Sequence, residues 1–187
     1  LGLFEPSHMQ YDHDRPVDEA GEPSLSQMTA KAIDILSRND KGFFLQVESG
    51  RIDHAHHATN PFRALLDTIE LSRAVRTAMD KVDLSETLII VTADHSHVFT
   101  IAGYATRGNP ILGKSIGNDS RGEPRTEPWL AADDLPYTTL GYANGRGFHQ
   151  LPDSNSADAI NGQEIKTLQD VDLRGNAVDF RILLKAK

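Results

Sequence analysis

The fold class is indicated by residues 43–57, which read FFLQVESGRIDHAHH. The apolar run at 43–47 is short and ends in polar residues, which is typical of a buried strand. A second apolar run at 87–93, TLIIVTA, is rich in β-branched residues and leads into DHSH at 94–97. Both runs therefore predict strands whose carboxyl ends carry polar side chains, where ligand sites in open α/β sheets are found.

Helical patterns lie before and between these two predicted strands. Ser24 and Gln27 match a capping box, which predicts a helix over 25–38. Asn60-Pro61 predicts the start of a second helix that runs to about residue 81, because proline suits the first helical position. Strands that alternate with such helices predict an α/β fold with a parallel or mixed sheet flanked by helices.

Composition limits the chemistry that the chain can carry. It has 187 residues, a net charge of −8, eight histidines and no cysteine, so disulfides and thiolate metal ligands are excluded. The acidic balance disfavours nucleic acid as a partner, and no apolar stretch is long enough to predict a membrane span. We expect an α/β core portion at 1–102, a loop-rich region at 103–162 and a tail at 163–187. Within the loop-rich region, residues 138–142 could form a strand, with Asn144-Gly145 as a turn.

The first candidate site follows the run at 43–47. Asp53 and His57 are four residues apart, so a helix would place a carboxylate and an imidazole on one face, and zinc accepts both ligand types. The alternative is a solvated helix start in which Asp53 favours the helix N-terminus. Three histidines within four positions favour the metal site over this alternative.

The second candidate site follows the run at 87–93. Asp94 and His95 are adjacent at a strand end, where two neighbouring side chains can reach one metal ion. The alternative is that Asp94 caps a following helix. The first site favours the metal interpretation, because adjacent parallel strands bring their carboxyl ends together.

A serine nucleophile with its base cannot be assembled from the sequence. Ser96 lies between two histidines but lacks the G-x-S-x-G context of a nucleophile elbow. Phosphate-binding and dinucleotide-binding glycine motifs are also absent from the sequence.

The two candidate sites together resemble the metal-site motifs of alkaline phosphatases. The matching stretches are VESGRIDHAHH at 47–57 and VTADHSHV at 91–98, supported by LFEP at 3–6 and YTTLGYANG at 137–145. The resemblance implies an incomplete alkaline-phosphatase-like α/β fold, with 103–162 near the active-site rim. It also implies hydrolysis of phosphate monoesters through a phosphoserine intermediate, with two zinc ions and one magnesium ion as cofactors.

The resemblance also implies roles for individual residues. His54 would lie near the phosphate, and the metal ligands would be Asp53 and His57 for the first zinc, Asp94 and His95 for the second zinc, and Glu48 for magnesium. A calcium site of some animal relatives corresponds to the carbonyl of Phe4 with Glu5 and Glu22. The alternative for Glu5 and Glu22 is a pair of solvated loop carboxylates.

The departures from the family pattern predict a central fragment. The family's nucleophilic serine and bridging aspartate come from an earlier part of the chain. Its third ligand to the first zinc is a histidine soon after the equivalent of Phe180-Arg181, where this sequence reads ILLKAK. We therefore expect the isolated chain to be inactive. The resemblance further implies a homodimer for the intact protein and a periplasmic or extracellular location.

Two other interpretations remain open at this point. The chain could belong to another metalloenzyme of the same superfamily, such as a phosphodiesterase, a sulfatase or a phosphomutase. It could also be a non-catalytic, truncated fragment that binds zinc without chemistry. The matches at 3–6 and 137–145 lie outside the shared metal motifs and favour an alkaline phosphatase proper.

Overall fold

The computed structural model describes residues 1–101, 104–130, 134–136 and 138–142. These ranges contain a short 3-10 turn, three α-helices and two short strands. The turn is Arg15–Val17, and the elements are α1 (Leu25–Leu36), α2 (Arg51–His57), α3 (Pro61–Lys81), β1 (Phe99–Ile101) and β2 (Leu140–Tyr142). The three helices of the described chain are too short or too polar for any of them to cross a membrane.

The chain divides into two compact units. Unit 1 comprises Leu1–His54 and Arg63–Ser96, and it contains α1 and most of α3. Unit 2 comprises Ala55–Phe62 and the described residues from His97 onward, and it contains β1 and β2. Helix α2 begins in the first unit and ends in the second. The predicted division into 1–102, 103–162 and 163–187 stays a prediction.

Helix α1 begins where its capping residues predict. The Ser24 hydroxyl accepts a hydrogen bond from the Gln27 amide at 3.2 Å, and the Gln27 side chain accepts one from the Ser24 amide at 2.8 Å. This reciprocal pair satisfies two amide groups that no helical carbonyl can reach. The predicted helix is confirmed, although it ends at Leu36 rather than at residue 38.

Helix α3 is also confirmed, and unit 1 joins it to α1 through polar contacts. The amide and hydroxyl of Ser26 both donate to one carboxylate oxygen of Glu70, at 3.0 and 2.6 Å. Burial alone would raise the pKa of Glu70, but these hydrogen bonds outweigh it and the pKa is lowered. Near the C-terminal ends of the two helices, Lys81 of α3 donates a hydrogen bond to Asp34 of α1 at 2.7 Å.

The two strongest strand predictions are not borne out by the described residues. Residues 43–47 and 87–93, called here the unpaired segments, form no strand ladder within them. Phe44 is 86% exposed and Leu88 83% exposed, so these apolar side chains are not covered. A strand exists only where a second backbone accepts its ladder hydrogen bonds, and these segments meet none in the described chain.

The sheet that does form is small and antiparallel, not parallel or mixed as predicted. Strands β1 and β2 pair in the described chain, with Phe99 opposite Tyr142 and Ile101 opposite Leu140. All three residues of β2 are buried. The strand predicted at 138–142 is therefore confirmed over its second half. The turn predicted at Asn144-Gly145 and the tail at 163–187 lie outside the described residues.

Candidate metal centre

Helix α2 places the first pair of candidate ligands one turn apart. Asp53 lies in its first turn, where a carboxylate favours the positive end of the helix dipole. His57 is its last residue, so the four-residue spacing puts both side chains on one face, as the sequence predicted. The helix therefore presents a carboxylate and an imidazole on the same face, one turn apart.

Within unit 2, a second histidine lies beside His57. The rings of His57 and His97 are perpendicular, with their centroids 4.9 Å apart. One carboxylate oxygen of Asp53 and one ring nitrogen of each histidine lie within 4.8 Å of one another. A carboxylate with two imidazoles is a ligand set that zinc commonly takes in catalytic sites, so these residues fit a zinc ion.

Sequence reasoning did not single out His97 as a candidate ligand. Its motif had been singled out for metal chemistry, but the resemblance assigned roles only to Asp94 and His95. The available signal was the second histidine of DHSH itself, because it is the same ligand type in the same short segment. Among the residues that the structure describes, Asp53, His57 and His97 form the one compact group of three such ligands.

His95 lies between Asp53 and Asp94 within unit 1, and neither His95 nor Asp94 belongs to that compact group. The His95 Nε2 atom is 3.8 Å from an Asp53 oxygen and 3.6 Å from an Asp94 oxygen. A hydrogen bond to the Ser96 carbonyl, and then the charge of Asp94, raise the pKa of His95. The alternative that Asp94 caps a helix is wrong, because no helix follows it in the described chain.

The side chain of His54 contacts other residues of unit 1. Its Nδ1 atom lies 3.2 Å from a guanidinium nitrogen of Arg51, and its ring meets the edge of His8 at 4.3 Å between centroids. Arg51 in turn stacks over the ring of Tyr11 at 3.8 Å. A cation is thus held beside His54. Glu48, the predicted magnesium ligand, is exposed and lies outside the compact group.

Glu22, one of the predicted calcium ligands, lies in a buried setting. One of its carboxylate oxygens accepts a hydrogen bond from the Gln10 amide at 2.8 Å. Its other oxygen is buried without a hydrogen-bond partner. The alternative of a solvated carboxylate is therefore wrong for Glu22. Phe4 is 45% exposed, and Glu5 is half-buried.

The described helices and the Asp/His ligand group define a protein of the metal-binding class. Comparison with known proteins narrows this class, because the family model for alkaline phosphatase matches residues 1–177. The chain belongs to the alkaline phosphatase family.

Three relatives illustrate the likeness and its extent. A membrane-bound alkaline phosphatase of Bombyx mori is 46% identical over 147 residues, covering 79% of this chain and 24% of that protein. The human tissue-nonspecific isozyme is 46% identical over 149 residues, covering 79% and 26%. Alkaline phosphatase 4 of Drosophila melanogaster is 42% identical over 165 residues, covering 86% and 25%. The chain thus spans about a quarter of the length of the relatives it matches.

Proposed function

We propose that the protein containing this chain hydrolyses phosphate monoesters as a metal-dependent alkaline phosphatase. The observation that carries the proposal is the Asp53, His57 and His97 ligand group, found in a chain of that family. The matched relatives bear that name, which favours this activity over that of a phosphodiesterase, sulfatase or phosphomutase. Because the chain spans about a quarter of their length, the activity is proposed for the whole protein.

We propose the metal assignment that the family resemblance implies. Asp53 and His57 would hold the first zinc, with His97 close enough to join them, Asp94 and His95 would hold the second, and Glu48 would bind magnesium. When bound, these ions supply Lewis-acid charge at the phosphate and at the attacking and leaving oxygens. Asp53 brings negative charge to its site. His95 must lose its proton before its Nε2 atom can bind metal, and its raised pKa favours the protonated form.

His54 is the residue that we place near the phosphate. Its contact with Arg51 sets a guanidinium beside its ring, and a guanidinium is well suited to phosphate oxygens. The role proposed for His54 is to orient this cation and to adjust the charge that a phosphate meets. The nucleophile would come from outside the given sequence, so we expect no turnover from the isolated chain.

Calcium is proposed at Glu22, with Glu5 and the carbonyl of Phe4. The support is the buried oxygen of Glu22 that has no hydrogen-bond partner, since a buried carboxylate oxygen is costly unless something compensates its charge. Calcium prefers oxygen ligands of this kind.

The parallel or mixed sheet is proposed for the whole protein. The unpaired segments at 43–47 and 87–93 carry exposed apolar side chains, and the matched relatives are about four times as long as the matched region. Strands from the rest of such a protein would cover these side chains and complete the ladder hydrogen bonds. For that whole protein we also propose a homodimer and a secreted or surface location.

The test of the metal site is zinc binding to the chain. Purified chain is stripped with a chelator, equilibrated with zinc and desalted, and its metal content is measured. We expect bound zinc in the parent chain and a large loss in Asp53→Ala, with His13→Ala as the matched control because His13 is exposed and outside the ligand group. Zinc retained equally by Asp53→Ala would contradict the assignment.

The test of the activity uses the full-length protein. Hydrolysis of an aryl phosphate should require zinc and should fall by several orders of magnitude in Asp53→Ala but not in His13→Ala. Hydrolysis by the isolated chain, free of contaminants, would overturn the proposal that its nucleophile lies elsewhere.

A further inference from the structure

A buried tyrosine in unit 2 contacts two histidines, His56 and His97. Tyr142 is the last residue of β2 and is 1% exposed. Its hydroxyl lies 2.8 Å from the Nδ1 atom of His56. A buried hydroxyl without a hydrogen bond is costly, so this contact ties the end of β2 to the last turn of α2.

The ring of His56 is enclosed by aromatic neighbours. It stacks on His97 with centroids 5.1 Å apart and planes inclined by 25°, and it tilts against Phe99 at 4.9 Å. Tyr142 meets its edge at 5.7 Å and also meets the edge of His97 at 6.3 Å. One hydrogen bond and three rings therefore restrict how the His56 ring can rotate.

The restricted ring of His56 affects both histidines of the candidate zinc group, His57 and His97. His56 directly precedes His57 on α2, so a fixed His56 ring fixes the rotation of the turn that presents His57. Its opposite contact is the stacked ring of His97. An imidazole that is held in place before metal arrives loses less conformational freedom when it binds.

We propose that Tyr142 and His56 form a positioning pair that holds His57 and His97 in place at the candidate zinc site. This inference rests on the metal site proposed above. Neither residue needs to touch the ion, because the pair acts through the stack on His97 and through the helical turn that carries His57. Outer groups of this kind typically change metal affinity by about 10–100-fold when they are removed.

The decisive variant is Tyr142→Phe. It keeps the ring that packs on Phe99 and His97 but removes the hydroxyl that contacts His56. In the full 187-residue chain, zinc affinity is measured by competition with a chromogenic chelator, together with the thermal midpoint of unfolding. We expect the zinc dissociation constant to rise by about tenfold or more. An unchanged constant with a lowered midpoint would show a merely structural role and would overturn the inference.

A second pair of variants separates the effect of the hydrogen bond from a general loss of folding. His56→Asn keeps a polar atom near the position of Nδ1, whereas His56→Leu keeps bulk without one. We expect His56→Asn to bind zinc more tightly than His56→Leu, and equal affinities would contradict the role of the hydrogen bond. If the parent chain itself binds no zinc, the proposed metal site fails. If the parent binds zinc and Tyr142→Phe binds it equally well, only the positioning role fails.

Discussion

Two regions of the chain contrast in how sequence and structure agree about strands. The unpaired segments at 43–47 and 87–93 carry the apolar, β-branched composition of buried strands, yet Phe44 and Leu88 are exposed. Strand β2 contains a glycine and is only three residues long, yet it is wholly buried and paired with β1. Composition therefore indicates which residues can enter a sheet, while a hydrogen-bonding partner decides which of them do.

The strongest test of this comparison removes the same side chain from both regions. Leu140 in β2 is 1% exposed and Leu88 is 83% exposed. We expect Leu140→Ala to lower the free energy of unfolding by about 2–5 kcal/mol, because a cavity replaces buried methyl groups. Leu88→Ala should change it by no more than about 0.5 kcal/mol. Urea unfolding of both variants measures the two effects, and equal losses would mean that residues 87–93 are covered in solution.

The same comparison explains which parts of the fold could be predicted. Helices α1 and α3 were predicted well because their starts depend on local signals, the capping box at Ser24 and the proline at position 61. Sheet pairing joins β1 to β2 across about 40 residues of sequence, and no local pattern specifies such a partner. The described residues do not contain the predicted parallel or mixed sheet, whose pairing no local pattern could specify.

The candidate metal site also combines local relations that the sequence predicts with tertiary contacts that it does not predict. The relation of Asp53 to His57 depends on one helical turn and could be inferred from spacing alone. His97 and Tyr142 reach the site through tertiary packing, so their part could not be deduced from spacing. Family likeness supplied the motif but did not supply these contacts.

A second prediction asks whether unit 1 has a buried interior despite its exposed segments. Burial raises the pKa of Asp67 on α3 to about 6, against an ordinary value of 3.8. The protonated Asp67 carboxyl therefore contributes its full stabilisation below about pH 4, and this contribution is lost as the pH rises through 6. Across this window the loss should approach about 3 kcal/mol in the free energy of unfolding.

Asp67→Asn tests this titration directly. The variant keeps an oxygen that can accept from the Asp12 amide, but it cannot ionise. We expect Asp67→Asn to gain stability relative to the parent chain as the pH rises from 4 to 7, measured by urea unfolding at each pH. Asp40→Asn, which removes an exposed carboxylate, is the control. A constant difference between Asp67→Asn and the parent would show that Asp67 is solvated and that unit 1 lacks this interior.

The smallest effect on stability is expected in the unpaired segments themselves, where Ile90 is 77% exposed. Ile90→Lys should change the free energy of unfolding of the isolated chain by no more than about 0.5 kcal/mol, because little apolar area is lost from contact. It should nevertheless reduce self-association, since lysine on an unpaired strand edge discourages pairing between chains. Sedimentation over a range of concentrations measures this self-association, with Ser72→Lys on the exposed side of α3 as the charge-matched control.

In the full-length protein, Ile90→Lys should be strongly destabilising if residues 87–93 enter a completed sheet. A similarly small effect there would mean that this segment stays uncovered and that the parallel sheet proposed for the whole protein is wrong.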